Sequence, residues 1–322
     1  MNSIVLSLLA ALVSFACTAL LIPRFIPLLK RLKMGQRVSE YALDEYKEKA
    51  VVPTMGGLFF VIIPIVVSVA FNFSSLDNKG YILVLLAYFG YGLIGFIDDL
   101  KIIIEKKNDG LKPLHKFLMQ VFLAVVFYWM YTSYAKSTLI LPFDITLELG
   151  ILYAVLVLFM FAGSSNAVNL TDGMDGLAGG TSVLAYFPYL VFAYMRGEFA
   201  IMIFVSSIIG SLIGYLVYNL FPARIIMGDT GSLALGGGLA ALSLVLKKEI
   251  LLILIGGVFV FETVCVLIQQ TSVRLFKKKV FKYTPIHYTF VLNGWKEKNV
   301  VTFFWLLGFT CMIIGLLIGV MA

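Results

Sequence analysis

The sequence predicts an all-α fold: a polytopic integral membrane protein with ten transmembrane helices and both termini outside. Three observations predict it. The 322 residues are 61% hydrophobic and 13% charged, against roughly 45–50% and about 25% in soluble domains, which excludes a soluble or disordered chain. Ten segments approach the length of about 20 mostly apolar residues that crosses hydrocarbon. The basic residues are also distributed unevenly among the connections between those segments.

In chain order, the first span covers residues 3–24. Residues 1–8 carry no basic side chain, and a basic stretch follows the apolar run, so this span reads as a retained helix and not a signal peptide. The second span (54–73) opens on KAVVPTMGG, and the third (80–98) ends on a pair of aspartates. The fourth to seventh spans cover 114–134, 148–166, 176–195 and 199–219; the last three cover 231–246, 250–271 and 300–321. Of the 25 Lys and Arg, 20 lie on odd-numbered connections. By the positive-inside rule those connections are cytoplasmic. Topology thereby accounts for the net charge of +7, and no nucleic-acid role follows from it. Cys17, Cys265 and Cys311 sit far apart in apolar runs, as buried hydrophobes do, and suggest no redox role. With no internal repeat and no low-complexity linker, residues 1–322 form a single transmembrane helical domain with cytoplasmic active-site loops.

A carboxylate at membrane depth is costly unless partnered, so acids near these spans are functional candidates. Asp98 and Asp99 close the third span, where two adjacent charges repel and the helix dipole is unfavourable. A cation or a retained proton would relieve them. The bland alternative is a solvated helix end neutralised by Lys101 and Lys106. Between the fifth and sixth spans, Asn166, Asn169, Asp172 and Asp175 recur every third residue. An unbroken helix would drift by about 60° at each step, so the four would not share one face. Gly173 and Gly176 make a break that could turn them toward one ligand. The alternative is two Asx turns and an N-cap at Asp175. Before the eighth span, Asp229, Thr230 or Ser232 could cap the helix, and Asp229 could also hold a divalent cation. His115 and His287 are the only histidines, and either could be a solvated loop residue. Carboxylates, lysines and glycine-lined helix ends on one membrane face suit Mg²⁺ and a transferring phosphoryl group. The expectation from residues alone is a membrane enzyme handling a phosphate compound.

The strings PTMGG (53–57), GFIDDLK (95–101), NAVNLTDGMDGLAGG (166–180), MGDTGSLALGG (227–237), PIH (285–287) and GWKEKNVVTFFW (294–305) occur in that order. Together they resemble the bacterial phospho-N-acetylmuramoyl-pentapeptide transferases, within the polyprenyl-phosphate N-acetylhexosamine-1-phosphate transferase superfamily. The resemblance implies ten helices, outward termini, the bacterial cytoplasmic membrane and a homodimer. It also implies transfer of phospho-N-acetylmuramoyl-pentapeptide from UDP-N-acetylmuramoyl-pentapeptide to undecaprenyl phosphate, giving lipid I and uridine monophosphate for peptidoglycan synthesis. Carried over by position, it makes Asp98, Asp99, Asp229 and His287 catalytic, with Asp229 the Mg²⁺ ligand. Asn169, Asp172 and Asp175 would line the nucleotide pocket, with Lys49, Thr54 and Asn166 nearby. The chain departs from the family pattern at Tyr288 and Thr289, where members carry histidines, and at Ile226, where many carry a phenylalanine that stacks on uracil. Two rivals stand beside this reading. One is an N-acetylglucosamine-1-phosphate transferase. The other is a transporter using Glu262 and the aspartates as an ion relay, against which the polar residues gather at one face. A structural interhelical hydrogen bond is the other role open to Glu262.

Overall fold

A computed structural model describes residues 2–31, 52–105, 110–141 and 145–321. Lys49 and Lys106 lie outside the described residues. Helices α1 (Ser3–Arg31), α2 (Gly57–Phe71), α3 (Lys79–Glu105), α4 (Pro113–Tyr131), α5 (Ile151–Thr171), α6 (Leu177–Met195) and α7 (Phe199–Asn219) are followed by α8 (Gly228–Val245). Then come α9 (Leu251–Ile255), α10 (Gly257–Phe276), α11 (Ile286–Leu292) and α12 (Glu297–Met321). Every expected span is helical, and eight helices are long and apolar enough to cross a membrane: α1, α3 to α7, α10 and α12. The chain is a polytopic membrane protein. α2 is shorter, with 15 residues, and the glycines of α8 dilute its apolar content.

The fold is all-α, with one short antiparallel pair of strands between α4 and α5: β1 (Thr138–Ile140) and β2 (Thr146–Glu148), Leu139 opposite Leu147. Two expectations need correction. The ninth span is two helices, broken at Gly256. The third span continues to Glu105, so Asp98 and Asp99 lie well inside a helix and not at its end.

α8 is the hub. Every residue from Thr230 to Val245 is buried, and α2, α3, α5 and α6 all pack on it. Its small residues allow this, because a helix without bulky side chains lets its neighbours' backbones approach closely. A Cβ on Gly236 would stand 2.4 Å from the Ser164 carbonyl, and one on Gly95 of α3 would stand 2.1 Å from the Asp229 carbonyl. Phenol hydroxyls buried in this core find carbonyl acceptors: Tyr186 donates to Leu235 (2.7 Å), Tyr88 to Phe60 (2.7 Å) and Tyr91 to Gln120 (2.8 Å). That satisfies polar atoms which would otherwise be stranded in an apolar interior. α1 is held along α7 by Thr18 and Ser211 (2.6 Å) and by Ser7 and Ser206. Hydroxyl pairs of this kind join helices where water offers no competing partner.

The core makes a matched prediction. Gly95→Ala overpacks the α3–α8 contact and should cost about 1–3 kcal/mol. Gly163→Ala, whose Cβ would meet nothing within 4 Å, should change stability by less than about 0.5 kcal/mol. Thermal unfolding of both variants in detergent checks the difference.

Candidate active site

The PTMGG segment and the loop before α8 are one construction. Ile226 donates to the Pro53 carbonyl (2.9 Å), and Gly56 and Gly57 donate to Ile226 and Met227 (2.8 and 2.9 Å). Only glycine fits at Gly57, where a Cβ would stand 2.3 Å from the Gly231 nitrogen. Thr54 is thereby placed beside Gly228, whose positive φ of 70° turns the chain into α8.

The cap of α8 comes from another helix. Asp99 accepts hydrogen bonds from the Asp229 N–H (3.0 Å), the Thr230 N–H (2.9 Å) and the Thr230 hydroxyl (2.6 Å). These are the otherwise orphaned donors of a helix N-terminus, and a carboxylate there is also favoured by the dipole. None of Asp229, Thr230 and Ser232 caps the helix with its own side chain, as the sequence had suggested one would.

Asp99, only 4% exposed, has both oxygens engaged. Asp229 is held by Asn169, which donates to Oδ1 at 2.7 Å, and by the Lys116 ammonium on Oδ2. Asp98 accepts the Leu111 N–H on Oδ1 (2.8 Å) and lies against the Asp229 carboxyl. The neutralising lysine is therefore Lys116, from the first turns of α4. Lys101 instead donates to the Gly110 carbonyl (2.9 Å).

The break between α5 and α6 occurs where expected, at residues 172–176, with Gly176 left-handed at φ 80°. It does not gather all four polar side chains. Asn169 reaches Asp229 and Ser232. Asn166 turns deeper, donating to Gln120 (2.9 Å). Asp175 is buried and accepts the Ala223 N–H (2.9 Å), while its own N–H donates to Glu297 (3.0 Å), so it ties three connections together. Asp172 is half-buried at the end of α5.

His287 is fully buried on α11, its Nδ1 3.0 Å from Glu262 Oε1. Glu262 Oε2 accepts the Ile286 N–H (2.8 Å). Glu262 thus has the interhelical hydrogen-bonding role that the sequence left open to it, and it fixes the histidine. With Nδ1–H on the carboxylate, the neutral ring carries its lone pair at Nε2. That atom has no partner among the described residues and points at Gly173, where a Cβ would stand 2.2 Å away. Tyr288 donates to the Gly173 carbonyl (3.0 Å), and Thr289 closes the loop onto Tyr283 (2.7 Å), so both departures from the histidine pattern hold α11 in place. His115 is exposed at the start of α4 and joins no site.

Residues 81–247 match glycosyl transferase family 4. The chain is 43% identical over 316 residues to a phospho-N-acetylmuramoyl-pentapeptide-transferase of Geobacillus thermodenitrificans, covering 97% of each. It is 42% identical over 315 residues to the enzyme of that name from Staphylococcus carnosus, covering 96% of this chain and 98% of the relative. The chain belongs to the phospho-N-acetylmuramoyl-pentapeptide-transferase family.

A family that acts on phosphate esters implies a divalent cation, and the donor set can be tested for one. Fully ionised, Asp98, Asp99 and Asp229 against Lys116 and the positive end of α8 leave an excess of roughly one and a half negative charges. Mg²⁺ keeps several waters and takes one or two carboxylates plus substrate oxygens, so it needs no protein cage. Among the described residues no group of three acidic, histidine or cysteine side chains forms such a cage. Asp98 and Asp229, all oxygen and hard, fit the ion.

Sequence reasoning did not single out Lys116 or Gln120. Their signal was position: Lys116 is the last basic residue before a long apolar run, and Gln120 lies one turn further along the same face. The cap predicts that Asp99→Ala, which strands buried donors, should lower stability by about 1–3 kcal/mol. Asp98→Asn, which keeps a side-chain oxygen for the Leu111 N–H, should lower it by less. Equal unfolding temperatures for the two would remove Asp99 from the capping role.

Proposed function

We propose that this chain transfers phospho-N-acetylmuramoyl-pentapeptide from UDP-N-acetylmuramoyl-pentapeptide to undecaprenyl phosphate, forming lipid I and uridine monophosphate. The observation that carries the reading is the Asp98, Asp229 and Lys116 cluster at one end of a membrane bundle, in a chain of this family. Ten crossings, outward termini and a cytoplasmic site are supported by the 20 of 25 basic residues on one side. A homodimer in the bacterial cytoplasmic membrane completes the proposal.

In this reading Asp98, the acid with fewest protein donors, orients the lipid phosphate and takes its proton. A phosphate oxygen then bonds to the sugar-linked phosphorus as the bond to uridine monophosphate breaks. Lys116 offers positive charge to the phosphates. Asp229, with Asp98 beside it, would hold Mg²⁺, which would neutralise charge on the transferring and leaving oxygens. Asp99 positions Asp229 through the α8 cap. His287, set by Glu262, presents an acceptor nitrogen beside Gly173 at the end of the nucleotide pocket. Thr54, Asn169 and Asp172 line that pocket; Lys49, which the resemblance adds to them, lies outside the described residues. Asn166 and Asp175 act through Gln120 and Ala223.

Purified protein given undecaprenyl phosphate, Mg²⁺ and each of two UDP-sugars tests the substrate. Lipid product should form with the muramoyl-pentapeptide nucleotide and be lost on chelation. Product with UDP-N-acetylglucosamine alone would overturn the reading. Asp98→Asn should lower kcat by about 10²–10⁴-fold, as loss of an acid–base group does. Stoichiometric release of uridine monophosphate without lipid acceptor, with a trapped phosphosugar adduct, would replace direct attack with a covalent aspartyl route.

A further inference from the structure

One charged segment, on the connection between α10 and α11, is not used in the reaction proposed above. α10 turns an apolar strip outward through Phe261, Val264, Leu267 and Ile268, ending at Leu275 and Phe276, which are 66% and 68% exposed. Helix then stops at Lys277, which is left-handed with φ 55°. Lys277, Lys278 and Lys279 follow with exposed side chains, and Val280 after them is exposed as well. No carboxylate among the described residues pairs with these three lysines. Apolar side chains that give way abruptly to consecutive lysines mark the level at which a helix leaves hydrocarbon. There the stems stay at the boundary and the ammonium groups reach headgroup phosphates. A soluble acidic partner would account for the lysines but not for the exposed Leu275, Phe276 and Val280 around them.

The segment is fastened to the rest. Gln269 accepts the N–H groups of Val280 (2.9 Å) and Phe281 (3.0 Å) and donates to the Phe281 carbonyl (3.0 Å). Ser272 donates to the Lys278 carbonyl (2.8 Å). Further on, the Tyr283 N–H donates to the Thr289 hydroxyl (3.0 Å) on α11. Gln269 lies two turns beyond Glu262 on the same face of α10, and Glu262 holds His287. The lysines, the end of α10 and α11 therefore form one hydrogen-bonded unit.

We propose that Lys277, Lys278 and Lys279 bind the headgroups of anionic phospholipids, and that this binding holds the α10–α11 unit so that His287 stays seated against Gly173. The binding half is independent of the reaction; the seating half rests on the function proposed above.

Whole protein reconstituted in phosphatidylcholine vesicles containing a minority of phosphatidylglycerol, with trace spin-labelled forms of each lipid, tests both halves. The wild type should immobilise phosphatidylglycerol selectively. The triple variant K277Q/K278Q/K279Q should lose that preference, by about fivefold per charge at low salt. The corresponding triple arginine variant should keep it. Unchanged selectivity in the glutamine variant would overturn the site. So would selectivity abolished by inorganic phosphate but not by sodium chloride at equal ionic strength, which would assign the lysines to a soluble phosphate. Turnover of the wild type should rise with phosphatidylglycerol at constant nucleotide KM, and that of the glutamine variant should stay flat. Wild-type turnover indifferent to phosphatidylglycerol overturns the seating of His287. Wild-type inactivity in every lipid overturns the reaction and leaves the binding result standing.

Discussion

Both oxygens of Asp99 are committed to the first donors of α8, and the rest of the site depends on that contact. It locks the middle of α3 to the start of α8 across a junction at which Gly95 and Gly228 leave no room for side chains. A carboxylate buried in a bundle of apolar helices is tolerable only with such partners, and a buried helix N-terminus is tolerable only with an acceptor. Each half of the contact solves the other's problem. The result is a fixed junction on which Asp229 and Asp98 are carried side by side.

From that junction the three acids acquire different tasks. Asp99 is satisfied by backbone and hydroxyl donors. Asp229 is shared between an amide on α5 and an ammonium on α4, so it reports the position of both helices. Asp98 has a single backbone donor on one oxygen, and its other oxygen stands against the Gly110 backbone, where a Cβ would come within 2.5 Å. It is the acid least satisfied by protein donors and therefore the one with most to gain from a substrate or an ion. A second unit, Glu262 with His287, has the same logic. A buried carboxylate caps α11 and in doing so fixes which imidazole nitrogen is free.

Much of this was legible in the residues. The span lengths gave the helices, because a bilayer demands a minimum apolar length, and the polar strings gave Asp98, Asp99, Asp229 and the break after Thr171. The corrections share a cause. Asp229, Thr230 and Ser232 looked like caps because local rules assign a cap to the residue just before a helix, yet the cap arrives from Asp99, 130 positions away in sequence. Asn166 and Asn169 looked equivalent by spacing, yet one turn of helix separates a residue that reaches Asp229 from one that reaches Gln120. Lys116 was counted as topology because a lysine at a helix end is ordinarily that. Pairings across the bundle carry no local signature. What local pattern could supply was the set of candidates, and what packing added was the assignment of tasks among them.

At the far end of the bundle the charged side chains are partnered differently. There Lys247 donates to the carbonyls of Lys136 (2.7 Å) and Thr138 (2.9 Å) and lies 5.1 and 5.0 Å from the ring centroids of Tyr131 and Tyr153. Glu249, 2% exposed, accepts the Tyr153 hydroxyl at 2.6 Å. The β-hairpin and the α8–α9 turn thus close over their own charges. At the Asp99 end the charges are unbalanced, the turns at Gly173 and Gly228 are too tight for side chains, and three connections meet at Asp175. One end of α8 is closed by rings and carbonyls of α4, α5 and β1 around Lys247 and Glu249, whereas the other sets Asp98 and Asp99 of α3 against its own Asp229. Opposed ends of this kind let a single buried helix serve as both the anchor of the fold and the floor of a site.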